Sequence, residues 1–303
     1  MRILVTGGAG YAGTSLIPRL LARGYGVTVL DPLYRGGPEP LLPFFRDPGF
    51  RLICRDMTGP GVIGEALEGI GGVIHLAAVS GYPACSRDPE GTETLNVRAT
   101  RELCRLSGPL PLVFASTGSV YGAVPGGLCT EETPPAPLSL YGDTKARGEE
   151  AVRQAGGVVL RFATAFGLSP VMRRDLLPNH LTLEALQTGK LEIYQPEARR
   201  TLIHVADMAR ALVFALENHR TMSGETFNAG SEDLNLSKGE LALALKERIP
   251  GLEVRLDARG SDPDARDYAV SYGKIRKAGF VPEVSLGEGL EELIRAFGSL
   301  PRF

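Results

Sequence analysis

The chain has few of the residues that build disulfide frameworks and metal centres. Among its 303 residues there are four cysteines and four histidines, with no C-x-x-C pair and no H-E-x-x-H motif. The cysteines stand at 54, 85, 104 and 129, and the histidines at 75, 180, 204 and 219. Zinc-site spacing is therefore absent, and a disulfide framework is not expected in a chain of this size. We expect no metal dependence.

Excess charge of one sign and long apolar runs are also missing. The formal net charge is -2 and the sequence pI is about 6.2, so there is no basic footprint for nucleic acid or for an anionic membrane. No apolar run approaches the roughly 18 residues that a membrane-spanning helix needs. The N-terminal sequence MRILVTGG enters a strand and a glycine loop without a signal-peptide pattern. We therefore expect a cytoplasmic protein that binds neither nucleic acid nor membrane.

What the sequence does contain is an alternation of short apolar runs with helical patterns. Six runs rich in valine, isoleucine and leucine are predicted strands, buried on both faces: 2–6, 26–30, 51–54, 72–77, 111–116 and 158–163. Between them apolar residues recur at helical spacing, notably over 12–21, 90–106 and 141–154. This alternation predicts an α/β fold with a parallel sheet and right-handed crossovers.

The pattern changes after Gly167, where a smaller, mixed α/β lobe is expected. Its predicted helices are 175–187, 206–218, 237–248 and 286–297, and its predicted strands are 191–194, 225–228 and 252–256. We expect one domain to comprise 1–167 together with about 200–230. The second domain then comprises about 168–199 and 231–303.

A glycine loop follows the first predicted strand. In TGGAGYAG, Gly7 permits the tight turn, Gly10 lets the backbone approach a pyrophosphate, and Gly13 lets the helix pack closely on the sheet. The helix that begins there presents backbone N–H groups and a positive dipole end to phosphate. The loop therefore predicts a dinucleotide-binding site.

Two aspartates refine the predicted cofactor. Asp31 ends the second strand, where a carboxylate accepts both hydroxyls of the adenosine ribose and repels a 2′-phosphate. This favours NAD over NADP, although Arg35 nearby offers a partner for a 2′-phosphate. Asp56 is placed either to meet the adenine amino group or to cap a turn.

A hydroxyl, a tyrosine and a lysine make up the predicted catalytic set. Tyr141 and Lys145 are four residues apart and share one helix face. An ammonium near a phenol stabilises the phenolate and lowers the tyrosine pKa from about 10. The phenolate can take a proton from an alcohol while hydride leaves the same carbon for nicotinamide. A hydroxyl from Thr117 or Ser116 would bond the same substrate oxygen.

Taken together, these motifs resemble an extended short-chain dehydrogenase/reductase of the NAD-dependent epimerase/dehydratase family, which acts on nucleotide sugars. The matching segments cover nearly the whole chain and include TGGAGYAG, HLAA, LNVRAT, ASTGSVYG, TEETPPAPLSLYGDTK, LRFATAFG and RTLIHVADMARAL. The resemblance implies a Rossmann-type, doubly wound domain that holds NAD and a C-terminal domain that closes over a nucleotide diphosphate sugar. It also implies a homodimer through the helices near 90–106 and 141–155.

The resemblance also implies roles for particular residues. Thr117, Tyr141 and Lys145 are the expected catalytic residues, with Tyr141 as the base. The expected cofactor-binding residues are Gly7, Gly10, Tyr11, Ala12, Gly13, Asp31, Asp56, Met57, Leu76, Ala77, Ala78, Asn96, Tyr141 and Lys145. The expected substrate-binding residues are Ser80, Tyr82, Thr117, Asn179, Arg200 and Arg266. His75 is expected to be a core-edge histidine bonded to backbone, and Cys85 a packed small side chain.

The residues after Thr117 bear on the reaction. Dehydratases of the family resemble S-T-D-E-V-Y-G, in which an Asp and a Glu follow the threonine and perform the acid/base steps that expel water. Here those positions are Gly118 and Ser119, neither of which is a good acid. We therefore expect a nucleotide-sugar 4-epimerase. A C4 dehydrogenase or reductase with net redox change, and a non-catalytic dinucleotide-binding regulator, remain as alternatives.

Overall fold

The structure is a computed structural model that describes residues 1–257 and 267–299, apart from the side chains of Tyr82, Pro125 and Asp257. The strands in this part of the chain are β1 Arg2–Thr6, β2 Gly26–Leu30, β3 Phe50–Ile53, β4 Gly72–His75, β5 Leu112–Thr117, β6 Ala123–Cys129, β7 Val158–Phe162, β8 Thr164–Phe166, β9 Lys190–Tyr194, β10 Arg199–His204, β11 Thr226–Ala229, β12 Asn235–Ser237, β13 Glu253–Asp257 and β14 Asp267–Val270. The α-helices are α1 Tyr11–Ala22, α2 Val62–Ala66, α3 Tyr82–Arg87, α4 Pro89–Glu93, α5 Thr100–Ser107, α6 Leu140–Gln154, α7 Leu177–Thr188, α8 Val205–Glu217, α9 His219–Met222, α10 Lys238–Lys246, α11 Gly273–Lys277 and α12 Leu286–Gly298.

One large parallel sheet organises the first part of the chain. Seven strands lie in the order β3-β2-β1-β4-β5-β7-β11. Every residue of β7 is buried, as expected for a parallel strand covered on both faces. The chain changes direction across the sheet between β1 and β4, and ligands bind at the carboxyl ends of strands beside such a point. The predicted Rossmann-type, doubly wound sheet is confirmed.

Helices cover both faces of this sheet. On one face α1 and α8 pack together through Leu16, Leu20, Leu212 and Leu216, which belong to one buried cluster. On the other face α2, α5 and α6 contribute to a second buried cluster around Phe114. Because α6 packs on β5, the helix that carries Tyr141 and Lys145 lies beside the strand that ends at Thr117.

The remaining elements form smaller sheets and a third buried cluster. Strands β12, β10 and β8 form one sheet, β13 pairs with β9, and β14 pairs with β6. Leucines of α7, α10 and α12 pack with Phe166 and Phe297 in the cluster. The sequence pattern did not predict β6, β8, β10, β12 or β14. The sequence of β6 is AVPGGLC, and its proline and glycines are unfavourable in strands, so the pattern does not predict one. The strand is stabilised by pairing with β14.

Within residues 1–257 and 267–299, no helix is both long and apolar enough to cross a lipid bilayer. In the same residues, no group of three or more histidine, cysteine, aspartate or glutamate side chains could hold a metal ion. The cysteines are reduced; Cys54 is exposed, whereas Cys85, Cys104 and Cys129 are buried.

Candidate active site

The glycine loop lies at the carboxyl end of β1, and its shape depends on missing side chains. Gly7 has a φ of 70°, in the left-handed region, and a Cβ there would lie 2.6 Å from the backbone nitrogen of Ala77. A Cβ on Gly13 would lie 2.3 Å from the carbonyl oxygen of Gly8. On Gly10 the nearest atom to a Cβ would be the Gly7 carbonyl oxygen, at 3.3 Å. The loop can therefore bring its backbone close to a ligand beside Gly10.

The start of α1 is suited to an anion. The helix begins at Tyr11 after Gly10, and no side chain among the described residues caps its first N–H groups. Asp31 lies on the other side of the loop, where its Oδ2 accepts a hydrogen bond from the Ala9 N–H at 3.0 Å and its Oδ1 from the Leu33 N–H at 2.8 Å. Burial raises the pKa of Asp31, against these backbone hydrogen bonds. Each carboxylate oxygen keeps acceptor capacity for a ribose hydroxyl.

The other expected cofactor residues surround the same edge of the sheet. Leu76 donates its N–H to the Thr6 carbonyl at 3.0 Å, which holds the segment 76–78 beside the glycine loop. Met57 is buried under β3 and β4 in the second cluster. Asp56 accepts hydrogen bonds from the N–H and the hydroxyl of Thr58, both at 2.8 Å. The carboxylate therefore caps its own turn, the alternative that the sequence left open.

The structure distinguishes the two candidate hydroxyls at the end of β5. Ser116 is buried, and its hydroxyl donates to Oε1 of Glu149, on the side away from the turn. Thr117 is partly exposed, and its hydroxyl donates to Ser119 Oγ at 3.1 Å and accepts from the Ser119 N–H at 3.2 Å. Thr117 is therefore the hydroxyl that a ligand in the crevice can reach.

Lys145 is a buried lysine on α6. The residue is only 2% exposed, and its Nζ lies 4.2 Å from the centre of the Phe114 ring. Burial lowers the pKa of Lys145 to about 7, while the charge of Glu149 and, where Cys85 is ionised, that of its thiolate act in the opposite direction. Tyr141, one turn earlier on the helix, is half-buried. A lysine of this kind can change charge near neutral pH.

Asn96 ties the loop after β4 to α6. It lies in a π-helical segment, Thr94–Ala99, and its Oδ1 accepts from the Val79 N–H at 2.8 Å. Its Nδ2 donates to the Val79 carbonyl at 3.0 Å and to Thr144 Oγ1 at 3.1 Å. The side chain is thus fully engaged next to Lys145, which is the arrangement of a supporting residue.

His75 lies inside the fold and not at its edge. Its Nδ1 is 2.6 Å from the Thr6 hydroxyl and its Nε2 is 2.9 Å from the Thr100 hydroxyl, so its partners are side chains and not backbone as expected. Burial, helped by the charge of Lys145, lowers the pKa of His75 to about 3. The imidazole is therefore neutral at physiological pH, and Lys145 has no second cation there.

The expected substrate residues are placed differently from one another. Ser80 Oγ accepts a hydrogen bond from Arg173 Nη1 at 2.9 Å. Asn179 is 0% exposed; its Oδ1 accepts from the Gly167 N–H at 3.0 Å and its Nδ2 donates to the Arg173 carbonyl at 2.9 Å. Arg200 is buried on β10, where its Nη1 donates to the Arg199 carbonyl at 2.9 Å. Tyr82 begins α3, and its side chain, like all of Arg266, lies outside the described residues.

Two arginines at this site were not predicted from the sequence. Arg173 forms a two-pronged ion pair with Asp175 at 2.7 and 2.6 Å while it bonds Ser80, so it joins the second lobe to the loop after β4. Arg161, on β7, pairs with Glu149 at 2.7 Å in the interior. The only sequence signal for Glu149 is its spacing, because it follows Lys145 by the four residues that separate Lys145 from Tyr141.

The turn after Thr117 is tightly packed at its first position. A Cβ on Gly118 would lie 3.1 Å from the hydroxyl oxygen of Tyr268 and 3.3 Å from its ring. Tyr268 comes from β14, is buried, and also packs edge-on against Tyr121 with ring centres 6.2 Å apart. A side chain at position 118 would therefore press on the ring and hydroxyl of Tyr268, which stands beside Thr117 where a dehydratase has its first acid.

Comparison with known proteins places these features in context. A family model described as the NAD dependent epimerase/dehydratase family matches residues 3–230. The UDP-glucose 4-epimerase of Mycolicibacterium smegmatis is 38% identical over 321 residues, which cover 98% of this chain and 98% of that protein.

Solved structures with bound NAD are similar over the same length. The UDP-glucuronic acid 4-epimerase from Bacillus cereus, in complex with UDP-glucuronic acid and NAD, superposes with a TM-score of 0.85 at 27% identity, covering 98% of this chain and 99% of that one. The dTDP-glucose 4,6-dehydratase from Streptomyces venezuelae, with NAD bound, has a TM-score of 0.84 at 29% identity and coverage of 97% and 96%. Since epimerases and dehydratases are both similar, overall similarity does not choose between the reactions.

Proposed function

The chain belongs to the NAD-dependent epimerase/dehydratase family, and on that premise we propose that it is a nucleotide-sugar 4-epimerase. The reaction would proceed by transient oxidation at C4 of the sugar and return of the hydride to the opposite face. The observation that carries this proposal is the turn after Thr117. It packs against α6, the helix that carries Tyr141 and Lys145, and it follows a reachable hydroxyl. It has Gly118 and Ser119 where a dehydratase needs acids, and Tyr268 packs closely on Gly118.

The residues at the carboxyl edge of the sheet fit NAD. Gly7, Gly10 and the first turn of α1 would hold the pyrophosphate, because the backbone is accessible beside Gly10 and the first N–H groups of the helix point outward. Asp31 would bind the adenosine ribose. When bound, NAD supplies the acceptor and donor of hydride.

The chain's own residues would handle the proton and the sugar. Tyr141, as phenolate, would remove the proton of the C4 hydroxyl and return it after the sugar has turned over. Lys145 would stabilise the phenolate with its charge, and Thr117 would bond the reacting oxygen as its charge develops. We propose that Arg200 and Arg266 meet the diphosphate, whereas Asn179, buried and fully bonded, positions the segment 167–173.

The large sheet supports the proposed division of labour, whereas two smaller sheets connect the domains, since β12 pairs with β10 and β14 pairs with β6. We propose that 1–167 with about 200–230 forms the NAD-binding domain, which agrees with the pairing of β11 to β7 in the large sheet. The substrate domain would comprise about 168–199 and 231–303. We also propose a homodimer through the helices near 90–106 and 141–155, which sedimentation analysis of the purified chain can test.

A panel of UDP-, GDP-, dTDP- and CDP-sugars, followed by NMR, tests the reaction. Inversion at C4 without net change in the cofactor is the expected result, and the Tyr141→Phe variant should lose it by about a hundredfold or more. Net reduction of the cofactor would instead identify a dehydrogenase. A 4-keto-6-deoxy product would overturn the exclusion of dehydration. NAD binding without turnover of any sugar nucleotide would identify a regulator.

A further inference from the structure

A buried ion pair lies directly behind the catalytic residues. Glu149, 2% exposed, and Arg161, 6% exposed, meet through three hydrogen bonds from Nε and Nη2 of the arginine to both carboxylate oxygens, at 3.1, 3.1 and 2.7 Å. Although burial lowers the pKa of Arg161, its bonds and charge interaction with Glu149 raise it overall. Arg161 is therefore a cation that faces both carboxylate oxygens of Glu149, and charged groups are retained in an interior only when well compensated.

The pair connects the elements that carry the catalytic set. Glu149 is on α6, and its Oε1 accepts from the hydroxyl of Ser116, the residue before Thr117 on β5. Arg161 is on β7, and its Nη1 donates to the Tyr121 hydroxyl at 3.0 Å, in the turn that follows Thr117. Loss of the pair would therefore disturb the helix, the strand end and the turn together.

Glu149 also interacts electrostatically with Lys145, which lies four residues earlier on α6. The titratable groups that interact with Lys145 are Glu149 on α6, His75 at the end of β4, and Cys85 on α3. Tyr141, one turn before Lys145 on α6, also interacts with the charge of Arg173, which is the same in every variant below. His75 is neutral, for the reason given above. Burial raises the pKa of the Cys85 thiol, whose Sγ donates to the Val79 carbonyl at 3.3 Å, so this group also stays neutral near pH 7. Glu149 is therefore the anion that favours the ammonium form of Lys145.

We propose that Glu149, held by Arg161, is a positioning residue that keeps Lys145 charged and thereby sets the pH range in which Tyr141 acts as the base. The inference rests on the proposed function, which gives Tyr141 and Lys145 their catalytic roles. Glu149 itself touches neither substrate nor cofactor in this scheme. It acts through the lysine, and the lysine acts through the tyrosine.

The test is the pH dependence of the Glu149→Gln variant. Without the carboxylate Lys145 loses its proton more easily, so the alkaline limb of kcat/KM should move to lower pH by about one unit or more. The Tyr141 phenolate then loses a neighbouring charge, so the acid limb should move to higher pH. Titration of the phenolate by ultraviolet absorbance, as the difference between each protein and its Tyr141→Phe counterpart, should show the second shift directly and needs no turnover.

Asp207→Asn is the matched control. Asp207 is another fully buried carboxylate paired with an arginine, since Arg210 Nη1 donates to it at 2.6 Å, and it also accepts from the N–H groups of Glu283 and Val284. It lies on α8, away from Lys145. This variant should lose stability as Glu149→Gln does, but both pH limbs and the phenolate titration should stay where they are.

The double variant Glu149→Gln/Arg161→Gln separates charge from folding. It removes the uncompensated arginine, so it should be more stable than the single variant, yet its alkaline limb should remain below that of the unmodified chain. The proposal would be overturned if the alkaline limb of kcat/KM and the phenolate titration of Glu149→Gln matched those of the unmodified chain. It would also be overturned if both returned fully to the values of the unmodified chain in the double variant. If no sugar nucleotide is turned over, the proposed function fails, while the phenolate titration still decides the role of Glu149.

Discussion

The proposed cofactor side and the proposed catalytic side of the crevice are stabilised by different interactions. On the cofactor side, Gly7 and Gly13 allow backbone to meet backbone where a Cβ would lie 2.6 and 2.3 Å from its neighbours. On the catalytic side, Lys145 and the Glu149–Arg161 pair are buried charges that depend on one another. Steric exclusion does not change with pH, whereas the charge of a buried lysine does. Substitutions on the first side should therefore act through steric clashes at every pH. Substitutions on the second side should have effects that depend on pH.

The largest effect is expected from Gly13→Val. The new side chain would collide with the Gly8 backbone, whose Cα would lie 2.5 Å from its Cβ, so α1 must move away from the sheet. We expect a loss of about 3 kcal/mol of stability and no NAD binding detectable by calorimetry at any pH. Gly64→Ala is the control: a Cβ there would meet no described atom within 4 Å, and it lies in α2. It should be neutral or stabilising by about 0.5–1 kcal/mol. Unaltered NAD affinity in Gly13→Val would contradict the steric account.

The second effect is expected from Lys145→Met, and it should depend on pH. Burial lowers the pKa of Lys145 from its ordinary value of 10.5 to about 7. Below pH about 7 the folded chain bears the full cost of a buried ammonium; as pH rises above that value the folded state releases the proton first and stability increases. Methionine should thus stabilise the chain most below pH about 7 and progressively less toward pH 9, while turnover falls about a hundredfold or more.

Lys274→Met provides a matched comparison for that prediction. The Lys274 ammonium also stands over a phenylalanine ring, 4.7 Å from the centre of Phe227, but its side chain is 38% exposed, pairs with Glu225 at 2.8 Å and donates to the Thr226 carbonyl at 2.8 Å. Its replacement should give no gain in stability, because the charge is partly solvated and is compensated by these partners. Thermal unfolding between pH 6 and 9, without added cofactor, measures both variants. If Lys145→Met gained the same stability at every pH, the gain would not come from removing the charge of the buried lysine.

The two sides were also unequally predictable. The glycine loop, β1 and Asp31 were identified because their requirements are local: a positive φ at Gly7 and a strand whose three central residues are apolar and buried. The α6 residues were found by spacing. By contrast, Arg161 and Glu149 come from a strand and a helix that are joined only in the folded chain, and an arginine within an apolar strand carries no signal of its partner.

The second lobe shows the same limit more strongly. Asn179 looks in the sequence like any polar residue near the start of a helix, yet its amide bonds the backbone of Gly167 and Arg173. Tyr268 lies on a short strand that is defined by pairing with β6, and its packing on Gly118 joins residues that are far apart in sequence. Contacts of this kind depend on the tertiary arrangement and leave no periodic pattern.

The smallest effect is expected where the two lobes meet, in Tyr11→Phe. The Tyr11 hydroxyl donates to the Gly167 carbonyl at 2.8 Å, and burial raises the pKa of this phenol, so it stays protonated as a donor. Its removal should cost about 1 kcal/mol and weaken nucleotide-sugar binding, since Gly167 leads into the second lobe. NAD affinity should not change, because the hydroxyl is engaged by the Gly167 carbonyl and the proposed pyrophosphate site uses the loop backbone.

Tyr34→Phe is the control for that substitution. Tyr34 is 79% exposed, and its hydroxyl donates to Asp56 at 3.4 Å. Loss of this hydroxyl should change neither the stability of the chain nor its ligand affinities. Calorimetric titrations with NAD and with the sugar nucleotide identified in the panel separate the two affinities. If Tyr11→Phe lowered the affinities for NAD and for the sugar nucleotide equally, the hydroxyl would contribute to cofactor binding. The contrast between a cofactor side that depends on shape and a second lobe that depends on this hydrogen bond would then be wrong.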